Sequence, residues 1–247
     1  MRYFIELSYN GKDYHGWQNQ PNAISVQQLV EEALSTLLKR KVAIVGAGRT
    51  DAGVHASQLF AHFDEDKEIE TAEFIYKLNA ILPKTIVIND VFKVKPDMHA
   101  RFDAISRSYL YRITLKKDVF SYEYTHYIKP KLDIEAMQEA TKILFEYTDF
   151  ECFSKTKTNV KTFNCKVTEA QWTLIGNELQ FTITADRFLR NMVRAIVGTL
   201  LNVGTRKLKP EEMHRIIKSK NRGEAGTSVP GFALYLTNVA YPKDIKI

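Results

Sequence analysis

Hydrophobic periodicity constrains this chain more than any single motif does. Along its 247 residues the period switches between two and about 3.6 in one order, and then in that same order again. Residues 2 to 9, RYFIELSY, alternate as a strand with Ile5 and Leu7 on one face. Residues 26 to 38 then place Val26, Leu29, Val30, Ala33, Leu34, Leu37 and Leu38 on one helical stripe, and Ser25 followed by Gln28 makes a capping-box signature at its start. VAIVGAG reads as a short apolar strand ending in glycines. SQLFAHF alternates Leu59, Ala61 and Phe63 with Gln58 and His62. TAEFIYKLNAIL is helical in period and TIVINDVFKV is a β-branched run, which closes a β-α-β-β-α-β order by residue 95.

Lys95, Pro96 and Asp97 punctuate the chain, and a second round begins. SYLYRITL gives a strand over about 107 to 115, and Asp133 caps a helix carrying Ile134, Met137, Ala140 and Leu144. CKVTEAQWTLI and ELQFTITA form a hairpin turned at Gly176 and Asn177. NMVRAIVGTLLNVG is a largely buried helix, PEEMHRII a short helix with proline in its first turn, and ALYLTNVAY a final strand. The order is again β-α-β-β-α-β, with one extra helix. The halves share no apparent sequence identity, so the repeat is one of architecture. At this length two modest domains are favoured over one. The expected division is residues 1–96, a connector over 97–106, and residues 107–247.

Composition then narrows the function classes. Hydrophobic residues are 45% and charged residues 26% of the chain, the balance of an ordinary globular protein. No apolar run reaches bilayer-spanning length, and MRYFIELSYN lacks the parts of a secretory signal, so cytoplasmic residence with no membrane partner is expected. Cys152 and Cys165 fit no ligand spacing and read as packing residues. His15, His55, His62, His99, His126 and His214 form no His-x-x-x-His or His-x-Glu pattern, so no metal site is expected. Against 29 acidic residues stand 35 Lys and Arg, a net charge of +6 that suits a polyanionic partner such as nucleic acid.

The segment GAGRTDAGVHA, residues 46 to 56, places Asp51 among small residues with Arg49 and His55 as basic neighbours. As a dinucleotide loop it fails, because Asp51 takes the third glycine position and a strand, not a helix, follows. An aspartic protease needs two carboxylates sharing a proton, and only one Asp-Ala-Gly triplet exists here, so such an enzyme has to pair across a homodimer. A plain glycine turn with a hydrogen-bonding aspartate is the bland alternative. The fourth reading is a nucleophilic or basic carboxylate at a strand end, with glycines admitting a substrate. Arg49 and the glycine pair upstream of it favour that fourth reading.

Downstream, HARFDAISRSYLYRI crowds His99, Arg101, Arg107 and Arg112 with Tyr109 and Tyr111, a mixture that neutralises phosphates and offers rings to bases, or else a strand with tyrosines on one face. By period two Tyr109 and Tyr111 share a face. In DRFLRNMVRAIVG a helix starting near Asp186 puts Arg187 and Arg190 in its first turn, where cations are disfavoured unless an anion such as phosphate is near. Arg194 sits among Met192, Val193, Ala195, Ile196 and Val197 and therefore calls for a partner. Asp51, Asp186 and a surface-directed side chain all remain open for it.

Side by side, these segments resemble the TruA family of tRNA pseudouridine synthases. Five blocks carry the resemblance in the family's order: YHGWQNQ at 14 to 20, GAGRTDAGVHA at 46 to 56, HARFDAISRSYLYRI at 99 to 113, NMVRAIVGTLLNVG at 191 to 204, and ALYLTNVAYP. The resemblance implies that Asp51 is the catalytic aspartate, that Tyr109 lies beside the target base, that Arg194 pairs with the aspartate, and that Arg49 helps flip the nucleotide. It implies as substrate the uridines at positions thirty-eight to forty of the tRNA anticodon stem-loop, and a homodimer in which each tRNA touches both subunits. One departure is visible: SVPGFALYL carries Ala233 where the family commonly has glycine, and Ser228-Val229-Pro230 where a Thr-Ala-Pro-like run is usual.

The implied reaction exchanges a glycosidic N–C bond for a C–C bond inside one nucleotide, so no cofactor, redox partner or metal is called for. It demands a flipped nucleotide and a carboxylate acting at the sugar or the base. Tyr109 then serves as a general base or as a stacking wall, and Arg187 and Arg190 as RNA contacts. The expected fold is α+β: two ferredoxin-like halves with antiparallel sheets lining a basic RNA-binding cleft. A catalytically silent RNA-binding protein is the main rival reading, and a dimeric protease a distant one.

Overall fold

The computed structural model of the protein describes residues 1–156 and 160–247. It is a mixed α+β protein with largely antiparallel sheets and few helices. Contacts group the described residues into two units, residues 1–106 with 235–247, and residues 107–234. Among the described residues no helix is long and apolar enough to cross a membrane.

In the first unit, strand β1 (Arg2–Tyr9) is central. It pairs antiparallel with β3 (His55–Asp64) on one side and β4 (Ile86–Val94) on the other. The short β2 (Val45–Gly46) adds to β3, which gives the order β4-β1-β3-β2. Alternation sends β1 side chains to two buried faces. Tyr3 stacks on Phe63, which stacks in turn on Phe74 of helix α2 (Thr71–Ile81), so this face meets the helices. Phe4 points the other way into a ring cluster with Phe92, Phe60 and Tyr241. Helix α1 (Val26–Leu38) buries Val26, Val30, Ala33 and Leu34 and packs against α2. The valine and leucine side chains each contribute about 1.5–3 kcal/mol through burial, and Ala33 less. The Ser25 hydroxyl accepts from the Gln28 backbone N–H at 3.2 Å, as its capping signature predicts; the Gln28 side chain instead donates to Glu32.

VAIVGAG yields less strand than its composition suggests. Side chains of α1 capture the backbone there: Val42 N–H donates to the Ser35 hydroxyl and Ile44 N–H to Glu31, leaving only Val45 and Gly46 for the ladder. The stretch from 97 to 106, expected as a connector, is docked on this unit. Ala100 N–H donates to His62 Nδ1 at 3.1 Å, and Arg2 donates to the Met98 carbonyl at 2.9 Å.

The second unit is built on the antiparallel order β5-β8-β7, with β5 (Ser106–Thr114), β7 (Val167–Ile175) and β8 (Glu178–Ala185), and with β6 (His126–Tyr127) parallel to the end of β5. Gly176, at φ 61°, turns the β7–β8 hairpin where sequence placed it. Helix α3 (Ile134–Lys142) is capped by Asp133 and packs on both β7 and α4 (Met192–Gly204), whose residues are buried nearly all round. Helix α5 (Glu212–Ser219) follows, with Pro210 outside its first turn.

Two expectations about this half change. Helix α4 does not start near Asp186. Asp186 uses its carboxylate on the backbone N–H groups of Lys166 and Arg187, and Asn191, at φ 69°, stops a helix from running through it. Arg187 and Arg190 therefore precede the helix instead of occupying its first turn. The final strand, β9 (Leu234–Ala240), pairs in parallel with β3, His55 opposite Tyr235 and Ala56 opposite Leu236, and residues 235–247 group with the first unit.

Candidate active site

The loop from Ala47 to Val54 leaves the sheet at β2 and re-enters it at β3, so its residues are held at one end of the first unit. Backbone bonds pin it, beginning with Ala47 N–H to the Phe60 carbonyl at 2.7 Å. Trp17 N–H donates to the Thr50 carbonyl, Gly53 N–H to the Tyr14 carbonyl, and Val54 N–H to the Asp51 carbonyl, the last closing a turn in which Gly53 has φ 75°. Thr50 is buried, and its hydroxyl bonds to the Tyr9 phenol at 2.8 Å. Asp51 lies half-buried between these anchored residues, while Arg49 is exposed.

The segment YHGW is what presses on this loop from outside. Gly16, at φ 92°, has no Cβ to collide with the Thr50 carbonyl, which stands 2.2 Å from where that atom would be. The Trp17 indole fills the space in front of Gly46. Gly46 thus makes room for a tryptophan, while Gly48 faces open space. His55 also changes character. It is buried, stacks on Tyr235 at 4.6 Å, and accepts the Gly11 N–H on Nδ1 at 3.1 Å, which requires that nitrogen to be unprotonated. It packs on Tyr235 and serves as a backbone acceptor where β3 begins.

In the second unit, β5 positions Tyr109 opposite Ile183 of β8. Tyr109 and Tyr111 share a face as expected, yet their settings differ. Tyr111 is wholly buried and donates to the Pro230 carbonyl at 3.2 Å, and burial pushes its phenol far above the usual tyrosine range. Tyr109 is half-buried, with Phe188 meeting its ring edge to face at 5.1 Å. The irregular segment ahead of α4 therefore brings Phe188 onto Tyr109. Arg107, at the start of β5, donates to the Asp186 carbonyl at 2.8 Å. Arg112 is committed to Glu178 by a two-bond fork of 2.8 and 2.7 Å, so it is not a phosphate ligand in this state. Arg190 is exposed.

Arg194, in the first turn of α4, donates its Nε to the Val229 carbonyl at 2.7 Å, and Val229 N–H donates back to the Arg194 carbonyl at 3.2 Å. Sequence reasoning sought a carboxylate and missed this backbone acceptor. Asp186, one candidate partner, is occupied by backbone donors as described. Also missed were Tyr14 and Trp17 as anchors of the Asp51 loop, for which the YHGW block was the available signal, and Ser228 beside Val229.

Among the described residues no three His, Cys, Asp or Glu side chains gather as metal ligands. Burial pushes the Cys152 and Cys165 thiols up to about 12, which keeps both protonated and inert near neutrality.

A family model described as tRNA pseudouridine synthase matches residues 7–103 and 147–242 of this chain. The chain is 54% identical over 245 residues to the tRNA pseudouridine synthase A of Parabacteroides distasonis, covering 99% of this chain and 97% of that protein. It is 54% identical over 248 residues to the protein of that name from Porphyromonas gingivalis, covering 99% and 98%, and 39% identical over 245 residues to that from Bacillus subtilis, covering 98% and 99%.

Proposed function

This chain belongs to the tRNA pseudouridine synthase family, and from that premise we propose how its own residues carry out the reaction and where on tRNA they do so. The protein is an isomerase that converts uridine to pseudouridine in tRNA. Asp51 is the nucleophile in this proposal, acting on a nucleotide flipped into the pocket with help from Arg49. Tyr109 stands against the uracil as stacking wall or general base, Arg194 pairs with the aspartate, and Arg187 and Arg190 hold backbone phosphates. The targets are the uridines at positions thirty-eight to forty of the anticodon stem-loop, and the enzyme works as a cytoplasmic homodimer.

One observation carries the assignment to Asp51. The only acid of the 46–56 segment is held half-buried on a loop whose neighbours Thr50, Gly53 and Val54 are each tied by backbone bonds, which is how a group is kept in place for chemistry. The same reasoning suits Tyr109, whose half-buried phenol ring is braced by Phe188. For the halves as ferredoxin-like units lining a basic RNA-binding cleft, support comes from the β-α-β-β-α-β order of the first unit with strands arranged β4-β1-β3-β2, from the β5-β8-β7 order of the second, and from the net charge of +6.

The test incubates purified protein with unmodified tRNA transcripts and maps pseudouridine, beside Asp51→Asn. The wild type is expected to modify positions thirty-eight to forty, and the variant to bind tRNA with unchanged affinity and form none. Appreciable isomerisation by Asp51→Asn removes Asp51 from the nucleophile role. A wild-type protein that shifts the RNA but leaves every uridine intact is a binder only.

A further inference from the structure

We infer that Arg222 is a positioning residue for Arg194, acting through Ser228 and the Val229 carbonyl; this rests on the reading above in which Arg194 serves the reaction. The segment 225–229 runs along the first two turns of α4 and is fastened to it at each step. Asn191, the residue before the helix, donates its side-chain amide to the Ser228 hydroxyl at 2.5 Å. Arg194 and Val229 exchange the two bonds already described. Gly226 N–H donates to the Thr199 hydroxyl at 2.8 Å, and Gly198 leaves room for the Thr227 carbonyl, 1.9 Å from where a Cβ would stand.

Arg222 closes this assembly from the far side. Its Nη1 donates to the carbonyls of Ala225 and Gly226, at 3.4 and 3.1 Å, and its Nη2 to the Ser228 hydroxyl at 2.7 Å. A guanidinium is a rigid planar fork, so these bonds set the path of the segment and not merely its proximity. The Ser228 oxygen accepts from two nitrogens, which fills its acceptor capacity and stops it from swinging. The next residue carries the carbonyl that receives Arg194 Nε. Fixing that carbonyl fixes the plane of the Arg194 guanidinium, and an acid that pairs with Arg194 then meets its Nη edge in one orientation. Removing Arg222 leaves the Gly226–Thr199 and Gly198–Thr227 contacts in place, so the segment loosens at Ser228 and Val229 without leaving the helix.

The experiment compares single-turnover rates and KM for tRNA in Arg222→Ala, Arg194→Lys and the double variant. Arg222→Ala is expected to lower the rate about tenfold, with KM unchanged within about twofold, and to cost nothing further in the Arg194→Lys background, because it acts through that side chain. Ser228→Ala reproduces the loss. Ser228→Thr, which keeps the hydroxyl, recovers most of it, and this pair carries the same test should Arg222→Ala fail to fold. Losses that multiply in the double variant, a raised KM with an unchanged rate, or no loss at all overturn the proposal. Arg194→Lys turning over at the wild-type rate overturns the reading of Arg194 itself, and the proposal with it.

Discussion

At the scale of single residues, the Asp51 loop depends on what its neighbours lack. Gly16→Ala asks a residue with a Cβ to adopt φ 92° and to share space with the Thr50 carbonyl. We expect it to cost about 1–3 kcal/mol of stability and, because Thr50 adjoins Asp51, to reduce turnover more than tRNA affinity. Thermal melts and single-turnover assays beside a filter-binding titration check both parts. The role of Gly16 is not visible in YHGW read alone, since its obstacle lies on another loop. Asp51 stood out in the sequence as one acid framed by glycines with Arg49 two residues before it, and it lies half-buried on the pinned loop. His55 was half legible, being recognised as a neighbour but not as a buried acceptor for Gly11. The first partner of Arg194 was out of reach, because a backbone carbonyl 35 residues away leaves no mark in composition or spacing.

At the scale of elements, the turn from His99 to Asp103 docks on β3 through His62. Burial, with the Arg2 guanidinium and His99 nearby, pushes the His62 imidazole down to about 4. Below the ordinary histidine value of about 6.5 the unfolded chain takes up a proton that the folded His62 refuses. Its contribution to stability is therefore complete above that value and is lost as pH falls toward 4. We expect this one group to cost the wild type at most about 2 kcal/mol between pH 7 and pH 5, and His62→Gln, which keeps an acceptor for Ala100 N–H, to remove that part. The measurement is the fall in melting temperature between those two pH values, and equal falls in both proteins refute the assignment. Elements were legible where one face decides them, as in α1 with its stripe from Val26 to Leu38. They were not where a distant group intervenes: Glu31 and Ser35 shorten β2, and Asn191 delays α4 to Met192.

At the scale of the whole molecule, the net charge of +6 concerns RNA as a polyanion. Arg187→Ala and Arg190→Ala are each expected to weaken tRNA binding and to reduce the slope of log Kd against log salt by about 1, leaving the chemical step on bound tRNA unchanged. Unaltered salt slopes return both arginines to a structural role. The β-α-β-β-α-β order of the first unit was readable because periodicity is local, but the destination of the last strand was not. Its pairing with β3 joins residues far apart in the chain, Ser57 and Leu236 being 179 residues apart. That separation sets a clock. At a synthesis rate of about 5–20 residues per second, roughly 10–35 s pass between the emergence of Ser57 and that of Leu236. Throughout that interval His55 lacks the Tyr235 ring, and the edge of β3 beside the Asp51 loop is open to any other strand. A nascent chain stalled before residue 235 thus lacks the strand that covers His55 and Ala56 next to the Asp51 loop.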